Sequence, residues 1–181
     1  TTNEMQKLQR IIQPKIGIFT HLGTAHDEGF SSQIEKIEEK IKLFSDCEIV
    51  ILQKNDLIEA LLKVKTLTWS FTDKNVAVFG EKNSTKNGYT LISIHYKNTS
   101  FEVKAPFQDT VSLENVMSCI CTLLFLKYDS SIIIERIKNL YPVELRLQVK
   151  KGINNCSLID DSYSSDYQSL KLALDFLEQQ K

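Results

Sequence analysis

Glycine and proline are scarce in this sequence, six and three among 181 residues. That scarcity excludes a collagen-like or Gly/Pro-rich low-complexity chain. Neither GxxxxGK[ST] nor GxGxxG occurs, so no glycine loop within these residues cradles a phosphate. An excess of one charge is also missing. Lys and Arg number 22 against 23 Asp and Glu, for a net charge of −1, which removes the basic footprint that a nucleic-acid partner demands. The longest apolar run, Val116 to Leu126, is interrupted by Ser118 and Thr122 and falls short of the ~20 residues of a membrane span, so it reads as a buried helix. No charged-then-apolar leader opens the chain. Cys47, Cys119, Cys121 and Cys156 form no CxxC pair, and no Cys/His cluster has zinc spacing. The expectation is buried, reduced thiols in a cytosolic protein.

What is present is ordinary for a globular protein: 42% apolar and 25% charged residues, in a length that suits one to two domains of ~100 to 200 residues. The order of patterns is that of an α/β domain with a mainly parallel sheet. Ile16 to Thr20 is a short apolar strand after Pro14, and residues 21–30 form a loop. Ser31 and Ser32 cap a helix whose Ile34, Ile37, Ile41 and Phe44 make an apolar stripe. Glu48 to Leu52 reads as a strand and Asp56 to Val64 as a helix. From Thr66 the runs turn β-rich: 66–71, 75–79, 89–96 and 100–103, with turns at 73–74, 83–88 and 97–98, are strands and hairpins at the edge of the same domain. Helices follow from Ser112 to Lys127 and from Ser131 to Leu140, and Pro142 closes the block. Beyond it, Leu145 to Val149 and Cys156 to Ile159 read as strands around a Lys150-Lys151-Gly152 turn. A last helix carries Leu170, Ala173, Leu174 and Leu177 on one face. About 40 residues of βα pattern cannot bury a core alone, so the domain boundary is placed near Pro142. With no initiator Met at Thr1 and a helical pattern still running at Lys181, the chain reads as an excised piece.

Chemistry concentrates in three places. His26 lies in the loop beyond the first strand, where α/β folds put ligand sites; one histidine defines no ligand set, so an ordinary loop residue fits as well. Lys40 flanks the apolar stripe of its helix and is expected nearer the buried side than Lys36 or Lys42. A lysine at a core border has its charged form disfavoured, and a snorkelling surface lysine has the same spacing. Arg146 can meet a phosphate. Asp160 and Asp161 leave a strand where ribose hydroxyls or a metal bind, and equally where turn formers and N-caps stand.

Taken together, several segments resemble the Mur ligases, ATP-dependent enzymes that build the peptide of bacterial cell-wall precursors. Residues 17–30, Gly-Ile-Phe-Thr-His-Leu-Gly-Thr-Ala-His-Asp-Glu-Gly-Phe, are similar to the family's G-V-x-T-N-[IL]-G-x-A-H-x-E-x-F stretch. Residues 142–147, Pro-Val-Glu-Leu-Arg-Leu, and 159–163, Ile-Asp-Asp-Ser-Tyr, are similar to P-x-x-x-R-[LM] and [LIV]-x-D-S-Y. Within the family, the likeness is to the branch that adds D-alanyl-D-alanine, and the string from Ser169 to Leu177 resembles the form fused to an alanine racemase. The resemblance implies that residues 1–141 are the later part of a P-loop-type central ATP-binding domain and that 142–181 begin a Rossmann-like C-terminal domain. The phosphate loop would then lie upstream of Thr1.

Residue by residue, the resemblance implies that His26 binds a magnesium ion and that Lys40 is carbamylated to supply that ion with an oxygen ligand, as a hard cation prefers. It places Asn115 on the adenine, Arg146 on the ATP phosphates and Asp161 on the ribose side. His21, Lys42, Ser112, Ser164 and Asp166 depart from the family pattern. The implied cofactors are ATP and Mg2+. The implied substrates are a UDP-muramoyl-tripeptide and D-alanyl-D-alanine, joined through an acyl phosphate in the bacterial cytoplasm, and the piece alone is expected to be inactive. Two alternatives stand beside this one: another Mur or folylpolyglutamate-type ligase, and a noncatalytic α/β binding module.

Overall fold

In the computed structural model, which describes residues 4–22, 30–86, 88–141, 148–162 and 167–179, the apolar runs of the first 139 residues become one six-stranded sheet. The chain divides into two units, Thr1–Asn139 and Leu140–Lys181. The first contains α1 (Glu4–Ile12), β1 (Ile16–Phe19), α2 (Gln33–Ile41) followed by a 3-10 turn at Lys42–Phe44, β2 (Ile49–Gln53), α3 (Asp56–Leu61), β3 (Thr66–Ser70), β4 (Val78–Lys86), β5 (Tyr89–Tyr96), β6 (Thr99–Ala105), α4 (Thr110–Phe125) and α5 (Ser130–Lys138). Strands follow one another across the sheet in chain order. β1 to β4 pair in parallel and β4 to β6 antiparallel, giving a mixed α/β unit whose parallel half lies at the start.

A parallel sheet is covered on both faces, so its strands read as unbroken apolar runs. β2 shows why. Its successive side chains point to opposite faces: Ile49 and Ile51 join a core with Leu113, Val116, Met117 and Ile120 of α4, while Val50 and Leu52 join one with Phe19, Ile37, Phe44 and Ile58. α2 and α4 therefore cover opposite faces. Gly17 in β1 is needed for the second of these cores, since a Cβ there would meet the Phe44 ring at 2.6 Å. Gly17→Ala is expected to destabilise the unit by about 1 to 3 kcal/mol, read as a lower midpoint in urea with an unchanged slope.

The antiparallel half has one packed face. Ile92, Ile94, Val103 and Ala105 are buried, and the alternating Ser93, His95, Glu102 and Lys104 are not. β4 extends through residues expected to turn, because cross-strand polar contacts hold it: Asn83 donates to Ser93 at 2.8 Å and to Glu102 at 3.0 Å, and the Thr85 and Thr90 hydroxyls lie 3.1 Å apart. The reversal comes later, with Gly88 at φ 79°. α4 starts two residues earlier than its apolar pattern, at the cap Asp109, which accepts from the Ser112 amide at 2.8 Å. Of the expected run it buries Val116, Met117, Ile120 and Cys121, while Leu123 to Phe125 are half-buried and Leu126, past its end, is exposed.

Other expectations are corrected. Ile34 is exposed although Ile37, on the same face one turn later, and Phe44 are buried, because it stands in the first turn of α2, beyond the covered stretch. Cys47 and Cys121 are buried free thiols, but Cys119 and Cys156 are exposed; adjacent helix positions turn by about 100°, so Cys119 and Cys121 cannot both face the core. α1 was not marked by any apolar run.

The second unit pairs β7 (Gln148–Lys151) with β8 (Ser157–Asp160) antiparallel and is followed by α6 (Tyr167–Gln179). Lys150 and Lys151 lie in the strand, not the turn. The reversal is made at Gly152, whose amide donates to the Cys156 carbonyl at 2.9 Å, and at Asn154, which takes a left-handed φ of 55°. Leu158, Leu170, Leu174 and Leu177 are exposed, as a βα piece of this size requires. Among the described residues no helix is long and apolar enough to cross a membrane.

Candidate functional site

Ligands of parallel α/β sheets bind beyond the carboxyl ends of the strands. In the first unit three segments leave the sheet there. Ser70 ends β3; its buried hydroxyl accepts from the amides of Thr72 at 3.1 Å and Asp73 at 3.0 Å and fixes the turn. Lys54 follows β2 and is committed to α3, pairing with Asp56 at 2.6 Å and Glu59 at 3.0 Å, bonds that hold its ammonium well above the usual lysine range. Asn55 caps that helix, accepting from the Ile58 amide at 3.1 Å. These residues build the edge without offering a free group to a ligand.

The third segment is more open. His21 leaves β1 exposed, and Gln53 ends β2. Glu114, in the second turn of α4, is half-buried and accepts a hydrogen bond from the Gln53 side chain. Burial pushes its carboxyl above the usual glutamate range, against the opposing pull of His21, Lys82 and the Gln53 bond, while Asp109 adds to the rise. Neither composition nor motif marks Glu114 as a site residue. Its position four residues before buried Ser118 on the flank of an apolar helix was the available signal. Asn115, the next residue, is exposed on the same helix.

Lys40 lies in the last turn of α2, half-buried. The expected order of burial is reversed, since Lys36 is the buried lysine at 2% exposure. α1 supplies the reason. It packs against α2, and the Met5 amide donates to Glu39 at 3.2 Å while Lys42 pairs with the same carboxylate at 2.7 Å. Gln9 likewise bonds Asp46. A second covering helix buries a flank that apolar spacing along α2 does not report.

The structure thus sets Lys40 and Asn115 on helices that cover opposite faces of the sheet. His26 and Arg146, with Ser164 and Asp166, lie outside the described residues. In the second unit Asp160 is the last residue of β8, paired with Gln148: Lys150 at 2.6 Å and the Ser162 hydroxyl at 2.6 Å occupy its carboxylate and hold it below the usual range. Asp161 follows, half-buried. Among the described residues no three His, Cys, Asp or Glu side chains are grouped to hold a metal ion.

A family model, the Mur ligase middle domain, matches residues 1–123. The chain belongs to the Mur ligase family. This Mur ligase chain is 27% identical over 156 residues to UDP-N-acetylmuramoyl-L-alanyl-D-glutamate--2,6-diaminopimelate ligase 2 of Clostridium acetobutylicum, a match covering 84% of the chain and 32% of that protein. Its fold is similar to that of MurF from Acinetobacter baumannii, with a TM-score of 0.85, 19% identity, and coverage of 99% of this chain and 41% of that one. It is also similar to the MurF ligase of Thermotoga maritima solved in complex with ADP, with a TM-score of 0.81, 18% identity, and coverage of 98% and 42%. The Mur ligase chain therefore spans about a third of the curated relative's length and about two-fifths of the solved ones.

Proposed function

We propose that this chain is part of an ATP-dependent ligase that adds D-alanyl-D-alanine to a UDP-muramoyl-tripeptide through an acyl phosphate, in the synthesis of peptidoglycan precursors. The observation that carries the reading is family membership over residues 1–123, joined to a fold similarity to MurF that runs through 99% of the chain. In this reading residues 1–141 are the later part of the ATP-binding domain and 142–181 begin the C-terminal domain. The string from Ser169 to Leu177 supports the form that carries an alanine racemase.

The residues present fit the nucleotide and the ion in part. Asn115 is exposed on α4, available to an adenine edge as donor and acceptor, and Asp161, half-buried after β8, suits ribose hydroxyls. His26 and Arg146 complete the set, on the magnesium and on the phosphates respectively. Lys40 is an oxygen donor only as its carbamate; as an ammonium it would repel the cation. Bound Mg2+ neutralises charge on phosphate oxygens. The chain's own contribution is to orient: the capped start of α4 fixes Asn115, and α2, held by α1, fixes Lys40.

One observation favours a second reading. The curated relative is named for diaminopimelate addition, so the acceptor step one residue earlier in the peptide is the rival. Phosphate release by the whole enzyme, with ATP, Mg2+ and either the dipeptide or diaminopimelate on the matching UDP-muramoyl peptide, separates them. Turnover at least about tenfold higher with D-alanyl-D-alanine is expected. The reverse preference would move the enzyme to the earlier step, and no turnover with either would favour a noncatalytic module.

A further inference from the structure

β6 ends the sheet: β5 pairs it on one side, and among the described residues no strand pairs it on the other. The hairpin decides which backbone groups are left over. Tyr96 and Thr99 face each other across the loop Lys97-Asn98, where Lys97 takes a φ of 52°, and the pair that closes so short a loop exchanges both backbone hydrogen bonds. Bonded and non-bonded pairs alternate from there. Thr99, Phe101, Val103 and Ala105 therefore bond β5, while the amides and carbonyls of Ser100, Glu102 and Lys104 point away from the sheet. Pro106, which has no amide hydrogen, ends the row.

The side chains of β6 divide the same way. Val103 and Ala105 are buried in the core that contains Ile133 and Ile137 of α5, so α5 covers the inner face. Ser100, Glu102 and Lys104 are exposed on the outer face. Asn83 donates to Glu102 at 3.0 Å, and the Lys104 ammonium stands over the Tyr89 ring at 3.8 Å from its centre. These contacts orient both charges. An open edge is commonly guarded by charge, lysine above all, and a guard of one sign repels a second copy of itself. β6 carries both signs, two positions apart on one face.

That spacing is self-complementary in one register. In a twofold antiparallel pairing of β6 with a second copy, centring on Val103 sets Glu102 against Lys104 of the second copy and Lys104 against its Glu102, with Phe101 facing Ala105. Centring on Glu102 or on Lys104 sets like charges directly opposite, which destabilises a pair. A slip by a single residue sets inner-face against outer-face side chains. The favoured register also joins Glu102 and Lys104 through the backbone groups that point away from the sheet.

We infer that β6 is an edge for self-association: two copies of this chain pair through residues 101–105, in the register centred on Val103, as a reversible dimer. A ladder this short belongs with the weak interfaces that bury less than about 1,200 Å². The twofold makes the patch isologous, so one substitution changes both ends of the contact. The inference goes beyond the ligase reading and does not depend on it.

The test is sedimentation equilibrium of the full 181-residue chain from about 1 µM to about 1 mM, the range of weak association, in reducing buffer so that exposed Cys119 and Cys156 do not cross-link. The parent is expected to pass from monomer to dimer. Glu102→Lys and Lys104→Glu should each weaken self-association at least about tenfold. An equimolar mixture of the two should associate at least as tightly as the parent, because it opposes unlike charges at each position, and the double variant should match the parent. Amide exchange should slow with concentration at Glu102 and Lys104 and stay constant at Val103. A parent that stays monomeric, single variants that associate like the parent, or a mixture no tighter than its components would each overturn the inference. If a single variant folds poorly, the double variant and the exchange pattern decide.

Discussion

Lys40→Ala is expected to lower turnover of the whole ligase by about 10²- to 10³-fold, the loss typical of removing one group that supports charge at a reacting centre, and millimolar formate, acetate or propionate is expected to restore part of it. The argument is chemical. A neutral lysine amine that adds CO2 forms an N–C bond and releases a proton, turning a cation into a carboxylate that suits magnesium. Alanine leaves a gap at the end of α2 that a short carboxylic acid can enter. The half-buried placement of Lys40 gives such an acid a walled site, and α1 keeps the helix in place, with Glu39 tied to Met5 and Lys42. Activity equal to the parent would reject the role. So would loss without rescue, provided the circular-dichroism spectrum and Tm are those of the parent.

The second large effect falls on stability. Trp69→Ala is expected to cost about 3 to 5 kcal/mol, a large share of the ~5 to 15 kcal/mol that holds a typical domain, and to leave much of the chain unfolded at 37 °C. Trp69 is fully buried in β3 among Leu67, Val78 and the α4 side chains, with the Phe71 ring edge-on at 5.5 Å. Its indole Nε1 has no hydrogen-bond partner among the described residues. Trp69→Phe removes that unsatisfied donor together with some volume, so the two terms oppose, and its cost should be under half that of the alanine variant in urea denaturation. Equal costs for the two would overturn this account, because both variants lack the indole donor and differ in the ring volume they keep.

Sequence reading recovered elements wherever one physical signal dominated. The uninterrupted Ile49 to Leu52 run marks a strand covered on both faces, and the Ser32 cap, accepting from the Glu35 amide at 3.2 Å, begins α2 where spacing placed it. Signals that depend on a distant partner were not legible. Lys36 is buried because α1 lies against α2, and α1 itself, with Ile11 and Ile12 exposed, offers no clean apolar face. The polar end of β4 looks like a turn until Ser93, Thr90 and Glu102 are placed beside it. At the site, the motif reading pointed to Asn115 and Lys40 individually, but their separation by the sheet follows from β2 alternating between two cores. Glu114 escaped notice because its setting is assembled from β1, β2, β4 and α4, four segments far apart along the chain.

Strand order equal to chain order bears on how the chain acquires its structure. No strand must be inserted between two already paired, so each can add at an edge of the sheet. The β4 to β6 meander, with two tight reversals, is the natural nucleus, because local pairing demands the smallest loss of chain entropy before contacts compensate. The parallel half, whose β1 to β2 crossover runs through residues 20–48, requires longer closures and follows.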